Sequence, residues 1–479
     1  VTPMGWTWQG GLPGTQMGRT LGFGVDQVLQ LEMVLPDGSH VRFGPTEWEE
    51  AEGYRLKIKL IPSNEQDLSR VFIFLLPLVV LLSALVNFLR DAFMSFSNIL
   101  PGNQILNYGF LDKVSNQVSF NFLFSFILVL TVVYLLSKSL GRSIIIFPIF
   151  FLTGLGLIGI EFVDVVIGFI MPEQLQPLGN TSILLLLKIL LVAAFLGLIF
   201  LNLLAKKEPS IFLSSQVLIG AVMFYFISLL IFRNDYAVMS DNFFINSMYL
   251  STHIYVGCSF VFLAILYFLI TKGLQATLLS KTLGTISFWG YLFLLPWTGF
   301  KYFYGTTLPD WIENVSIYLS ISLLIPLLAL IVNYSKTVAT KENNEPIFSV
   351  LISFAFVVFG ITNVLQIVSS VSNVTPIVSL TNFEYSIRYG YMYSLILIMI
   401  PFVYYLVPKI YGRELVYGKL EAFNAYLLGV CVVISLSLNA LIGINSGFAW
   451  NAGANAGNPT IYGEGFGFPY RKNIHHAYQ

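Results

Sequence analysis

Runs of about twenty consecutive apolar residues recur along the whole chain, and each is long enough to cross roughly 30 Å of hydrocarbon as a helix. They fall near residues 71–92, 117–137, 143–171, 182–205, 210–232, 244–271, 279–300, 312–335, 346–371, 385–410 and 423–444. In lipid the backbone must satisfy its own hydrogen bonds, which leaves helices or closed barrels. A barrel would show short alternating segments instead of long unbroken ones. With 56% hydrophobic and 10% charged residues, the 479-residue chain is also far too apolar for a soluble domain. The expectation is an all-α integral membrane protein, a polytopic bundle of about 11 transmembrane helices.

The connecting loops sort by charge. Lys138 and Arg142, Lys206 and Lys207, Lys272 and Lys281, Lys336 and Lys341, and Lys409, Arg413 and Lys419 follow the even-numbered spans. The opposite loops hold Glu173, Asp235, Asp241, Asp310 and Glu313. By the positive-inside rule the even loops and the N-terminus are cytoplasmic. A net charge of +0 gives no sign of a nucleic-acid partner, so the lipid bilayer is the expected surrounding. Cys258 and Cys431 both lie within apolar spans, where a free thiol behaves as a small hydrophobe.

Residues 1–54 do not belong to the membrane part. Val28 to Leu35 and Ser39 to Phe43 alternate in polarity around Pro36-Asp37-Gly38, which predicts a short soluble β-hairpin. Gly11 to Gly38, G-L-P-G-T-Q-M-G-R-T-L-G-F-G-V-D-Q-V-L-Q-L-E-M-V-L-P-D-G, resembles a fragment of the flavin-binding domain of FAD-linked oxidases. The piece is too small to bury a flavin alone. No apolar h-region lies near Val1, which argues against a signal peptide there. Residues 55–70 read as a basic linker, 71–450 as the membrane bundle, and 451–479 as a Gly- and Asn-rich C-terminal tail.

One stretch of the bundle carries a family pattern. Ser287 to Trp311 runs S-F-W-G-Y-L-F-L-L-P-W-T-G-F-K-Y-F-Y-G-T-T-L-P-D-W: an aromatic span that closes on a Leu308-Pro309-Asp310-Trp311 turn, with Asp310 placed to cap the next helix. It resembles subunit I of the C-family (cbb-type) haem-copper cytochrome c oxidases. Three further motifs agree in order: Lys207-Glu208-Pro209-Ser210-Ile211, Tyr404-Tyr405-Leu406-Val407-Pro408-Lys409 and Ile444-Asn445-Ser446-Gly447-Phe448-Ala449-Trp450. The family's twelfth span has no counterpart here. The resemblance implies a haem-copper oxidase subunit I-like bundle in a bacterial inner (plasma) membrane, in a respiratory chain that couples electron transport to proton translocation.

It also implies where metal ligands would fall, and those positions have lost them. The low-spin haem ligand falls on Val114, and the two haem ligands of the tenth span fall on Ser386 and Arg388. The copper ligands fall on Ser251, Lys301 and Tyr302; the redox tyrosine and nearby glutamate of the ninth span fall on Phe359 and Leu365. Such a subunit needs about six histidines, imidazole being the usual ligand for both metals. The chain has His40, His253, His475 and His476, of which only His253 lies in a span. His253 is weighed both as a metal ligand and as a polar group bonded to a neighbouring helix.

Glu161 and Asp164 share one face of the third span at i, i+3. A rise of about 1.5 Å per residue carries Asp164 roughly 30 Å from the cytoplasmic end near Ser143, level with Lys188 of the fourth span. A buried ion pair or a proton path is the expectation for Glu161, Asp164 and Lys188, since a lone charge in hydrocarbon must pair or take a proton. Tyr385, Tyr389, Tyr391 and Tyr393 read as packing residues.

Three functions stand. The first is a degenerate cytochrome c oxidase subunit I-like protein with no cofactor expected, structural or regulatory among other membrane subunits of a respiratory complex. The second is a proton channel or transporter on the same bundle. The third is an active terminal oxidase, cytochrome c to oxygen, holding haem b and copper through unusual ligands.

Overall fold

The computed structural model describes residues 31–34, 40–43, 65–95, 108–140, 144, 146–170, 182–204, 213–231, 250–303, 310–339, 346–378, 381–411 and 419–456. The chain divides into two units, 1–62 and 63–479. In the first, β1 (Leu31–Val34) pairs antiparallel with β2 (His40–Phe43), in the register Leu31 to Phe43 through Val34 to His40. The expected Pro36-Asp37-Gly38 turn lies outside the described residues, as do the family-like motif at Lys207–Ile211 and most of the charged loops.

The second unit is a helical bundle. Its helices are α1 (Glu65–Ser95), α2 (Tyr108–Asn116 and Leu123–Leu140, joined through a π-helical stretch Gln117–Phe122), α3 (Phe147–Ile170), α4 (Ser182–Leu204) and α5 (Leu213–Ile231). There follow α6 (Cys258–Phe268, flanked by π-helical Leu250–Gly257 and Leu269–Gly273) and α7 (Lys281–Leu294, tightening to 3-10 over Leu295–Phe303). The remainder are α8 (Asp310–Ser322 and Leu324–Val338), α9 (Pro346–Ser369), α10 (Asn382–Tyr411) and α11 (Lys419–Ala456), with a short turn of helix Thr375–Val378 before α10.

Among the described residues ten helices are long and apolar enough to cross a membrane. The expected seventh span, 279–300, is not one regular helix. Ser280 caps it by accepting from the Leu283 amide, but Pro296 has no amide proton, and from Leu295 the backbone tightens into 3-10 turns. Pro326 acts likewise in α8, where the break at Leu323 falls just before it. Two expected boundaries also move. The last residues of the 55–70 linker, from Glu65, are the first turns of α1. The tail expected from Asn451 begins as helix, because α11 continues to Ala456.

Helices α2 and α6 form the centre: 94% of each apolar window is buried, against 22% for α11. The outward faces of the other helices are as apolar as the core, with Leu78, Phe88, Leu152, Phe293, Ile325 and Leu441 exposed. That is the expected surface for a bundle whose solvent is lipid. The last helix docks through small residues. A Cβ on Gly447 would stand 1.8 Å from the Ile377 carbonyl oxygen, and one on Gly443 2.1 Å from the Phe383 amide nitrogen. Only glycine at both lets α11 lie this close to the chain entering α10.

Candidate functional site

Val114 is buried near the end of the first part of α2. Its neighbour Ser115 accepts from Arg90 Nη1 at 3.2 Å and donates to Asn87 Oδ1 at 2.5 Å. Arg90, from α1, also reaches the Tyr389 hydroxyl of α10 and pairs with Asp91 at 2.7 Å and Asp112 at 3.7 Å. Asn87 Oδ1 accepts from Tyr389 at 3.2 Å, and Asn87 Nδ2 donates to Ser119 at 2.9 Å. A polar knot therefore joins α1, α2 and α10 beside the position where the resemblance would put one haem ligand.

On α10, Ser386 is fully buried and donates to the Leu436 carbonyl of α11 at 3.2 Å. The Arg388 guanidinium lies 5.3 Å from the centre of the Tyr385 ring. Tyr385, Tyr389 and Tyr393 follow one another along a single face, with ring centres 6.1 and 5.8 Å apart. Tyr391 points the other way and is wholly buried, 6.1 Å edge-on from Phe359.

Of the copper positions, Ser251 is buried in the π-helical entry to α6. Tyr302 lies in the 3-10 turns of α7, its side chain outside the described residues. Lys301 is 2% exposed and pairs with Glu384 Oε1 of α10 at 2.9 Å. It also donates to Ser369 Oγ at 2.7 Å and to Gln366 Oε1 at 3.4 Å, both on α9. Phe359 stacks on Phe262 of α6 with ring centres 4.3 Å apart, and Leu365 is partly buried against the core.

These side chains do not fit haem iron or copper. Valine has no donor atom, the serine is spent on a carbonyl, and arginine and an ion-paired lysine present protons, not lone pairs. Among the described residues no group of three His, Cys, Asp or Glu side chains converges as a metal cage. Both cysteines are free, Cys258 buried against Met392 and Cys431 exposed on the outside of the bundle.

His253 is 2% exposed in the same π-helical stretch as Ser251. Its Nε2 lies 3.1 Å from the Phe120 carbonyl, itself in the π-helical part of α2. A carbonyl can only accept, so Nε2 carries the proton, and in the neutral ring Nδ1 faces Ser228 Oγ of α5 at 3.3 Å. The imidazole ties α6 to α2 and α5.

The third cluster is the one most deeply buried. Lys188 Nζ of α4 lies 2.9 Å from Glu161 Oε2 and in ion-pair contact with Asp164, both on α3. The three side chains are at most 2% exposed. Glu161 accepts further from Tyr225 of α5 at 2.9 Å and from Gln117 of α2 at 3.3 Å. The i, i+3 spacing and the matched depth found Glu161, Asp164 and Lys188 in the sequence. Tyr225 and Gln117 carried no signal beyond being polar in an apolar run.

No protein-family model matches the chain. Among curated proteins it is 25% identical over 281 residues to cytochrome c oxidase subunit 1 of Rhodobacter capsulatus, covering 54% of this chain and 51% of the relative. It is 25% identical over 197 residues to the Cbb3-type cytochrome c oxidase subunit CcoN1 of Stutzerimonas stutzeri, covering 40% and 41%. A cytochrome c oxidase subunit 1 homolog from Bradyrhizobium diazoefficiens is 28% identical over 212 residues, covering 41% and 36%. In each case the matched part is about half of the relative's length or less. A chain of a haem-copper terminal oxidase dimer shares the fold, with a TM-score of 0.55 at 11% identity over 80% of this chain and 83% of that one.

The chain is similar in sequence to cytochrome c oxidase subunit 1 and in fold to a haem-copper terminal oxidase. Four residue pairs in this subunit 1-like bundle join α10 to other helices at or beside the positions where the resemblance would put ligand or redox residues: Arg90 with Tyr389, Lys301 with Glu384, Phe359 with Tyr391, and Ser386 with Leu436. Glu384 and Arg90 were not singled out in the sequence. The available signal was an ionisable residue within or at the edge of an apolar span.

Proposed function

We propose that this subunit 1-like protein is a non-catalytic subunit, structural or regulatory, of a respiratory electron-transfer complex in a bacterial plasma membrane, with its N-terminus on the cytoplasmic face. The observation that carries the reading is the buried Lys301 to Glu384 pair at a copper position. An ammonium held there by a carboxylate and a serine repels a metal cation and offers it no lone pair. Valine, serine and arginine at the haem positions support the same reading. The side chains that would have held cofactors instead bind neighbouring helices, so the scaffold persists without them.

The test is a pyridine haemochrome spectrum with elemental analysis of protein purified in detergent. The expected result is no stoichiometric haem b, iron or copper, while the protein remains folded and associated with other membrane subunits. A Soret band with stoichiometric iron overturns the proposal in favour of an oxidase with unusual ligands. The buried Glu161, Asp164 and Lys188 cluster favours a second role, a proton channel or transporter. Dissipation of a pH gradient by the chain alone in proteoliposomes, lost on replacing Asp164 with Asn, is its signature.

A further inference from the structure

Among the described residues, Lys188 is the single cation set against two carboxylates, Glu161 and Asp164, in a cluster closed off from solvent and lipid. If both acids were ionised, the cluster would hold one uncompensated negative charge in the buried interior of the bundle. Two carboxylates sharing such a site keep one proton between them, because the second ionisation must be made against the first.

The two acids are not equivalent. Glu161 receives three donors: the Lys188 ammonium at 2.9 Å, the Tyr225 hydroxyl at 2.9 Å and the Gln117 amide at 3.3 Å. Asp164 is 0% exposed and touches Lys188, while its Oδ1 has no hydrogen-bond partner among the described residues. A carboxylate needs its lone pairs filled far more than a neutral acid does, so the ionised form belongs on the better-solvated side chain.

We propose that Asp164 is a buried proton-holding site, a neutral carboxylic acid beside a Glu161 to Lys188 ion pair. This stands on the geometry of the cluster and does not depend on whether the bundle binds metals. Lys188 from α4 touches it; the groups around the rest of the cluster are Gln117 from α2 and Tyr225 from α5, both bonded to Glu161 of its own helix, and Ser125 from α2, in contact with the Tyr225 hydroxyl at 3.1 Å. The His253 ring of α6 lies 5.2 Å beyond, against the Tyr225 ring. A proton leaving Asp164 adds a unit of negative charge between α3, α4 and α5. The site therefore couples protonation to how these three helices pack.

The experiment is infrared spectroscopy of the full chain in lipid at neutral pH, reading the carbonyl stretch of protonated carboxylic acids. Wild-type protein minus Asp164→Asn is expected to show one such band. The band shifts when the protein is labelled with carboxyl-13C aspartate and stays when it is labelled with carboxyl-13C glutamate. Glu161→Gln is expected to abolish it too, because Asp164 must then ionise to serve Lys188. That variant keeps the test open if Asp164→Asn fails to fold. Absence of any band lost in both variants overturns the proposal, and so does a band that follows the glutamate label.

Discussion

Replacement of Lys301 is the sharpest probe of what holds this bundle together. The ammonium is 1% and the Glu384 carboxylate 7% exposed in their side chains, and they meet at 2.9 Å between α7 and α10. In Lys301→Met the carboxylate stays inside without its cation, and the loss of one partner of a buried pair costs about 3–5 kcal/mol. Glu384→Gln strands the ammonium and is expected to cost about the same. In the double variant neither charge of this pair remains. Ser369, which also donates to the Gln366 carbonyl at 2.8 Å, stays satisfied. The residual cost is then the lost hydrogen bonds to Ser369 and Gln366, together about 1–3 kcal/mol. The double variant should therefore be more stable than either single one, a large departure from additivity. Equilibrium unfolding in mixed detergent micelles measures all four corners of the cycle. Additive losses, or a double variant worse than both single ones, refute the claim that this pair clamps α7 to α10.

Two other perturbations test the packing and the N-terminal unit. Gly447→Val places side-chain carbon where the Ile377 carbonyl now stands and must push α11 off its neighbours, so a fall in thermal stability of at least about 1–3 kcal/mol is expected, against little change for Ala449→Val. A chain starting at Ser63, the first residue of the second unit, is expected to insert in the membrane and unfold as the full chain does. Neither chain should carry flavin, which fluorescence of the purified proteins reads directly.

Much of the bundle was legible in the sequence because crossing lipid is a local requirement. A run of apolar residues long enough to span must form its own hydrogen bonds as a helix, wherever its neighbours lie. The positions of α1 to α11 follow from that, and that His253 is the one histidine within the apolar spans needs only residue identity. Pro296 was equally visible, and it is why 279–300 does not continue as one regular helix. Glu161, Asp164 and Lys188 announced themselves as ionisable residues at one depth, because hydrocarbon penalises each of them alone.

What the sequence left open was which faces meet. In a membrane the outward face is as apolar as the inward one, so hydropathy that marks a span does not say which side of it is buried: Leu441 and Leu436 lie on one helix, the first exposed and the second in the core. Only tertiary structure brought Arg90 to Tyr389, 299 residues away, and gave Lys301 a carboxylate from α10. The same holds for the proton at Asp164. Sequence supplied two acids and one base, but the three donors gathered on Glu161 come from α2, α4 and α5, and that convergence decides which acid is ionised. Spans are fixed by local apolarity, whereas the partners of a buried charge are fixed by packing between segments distant in the chain.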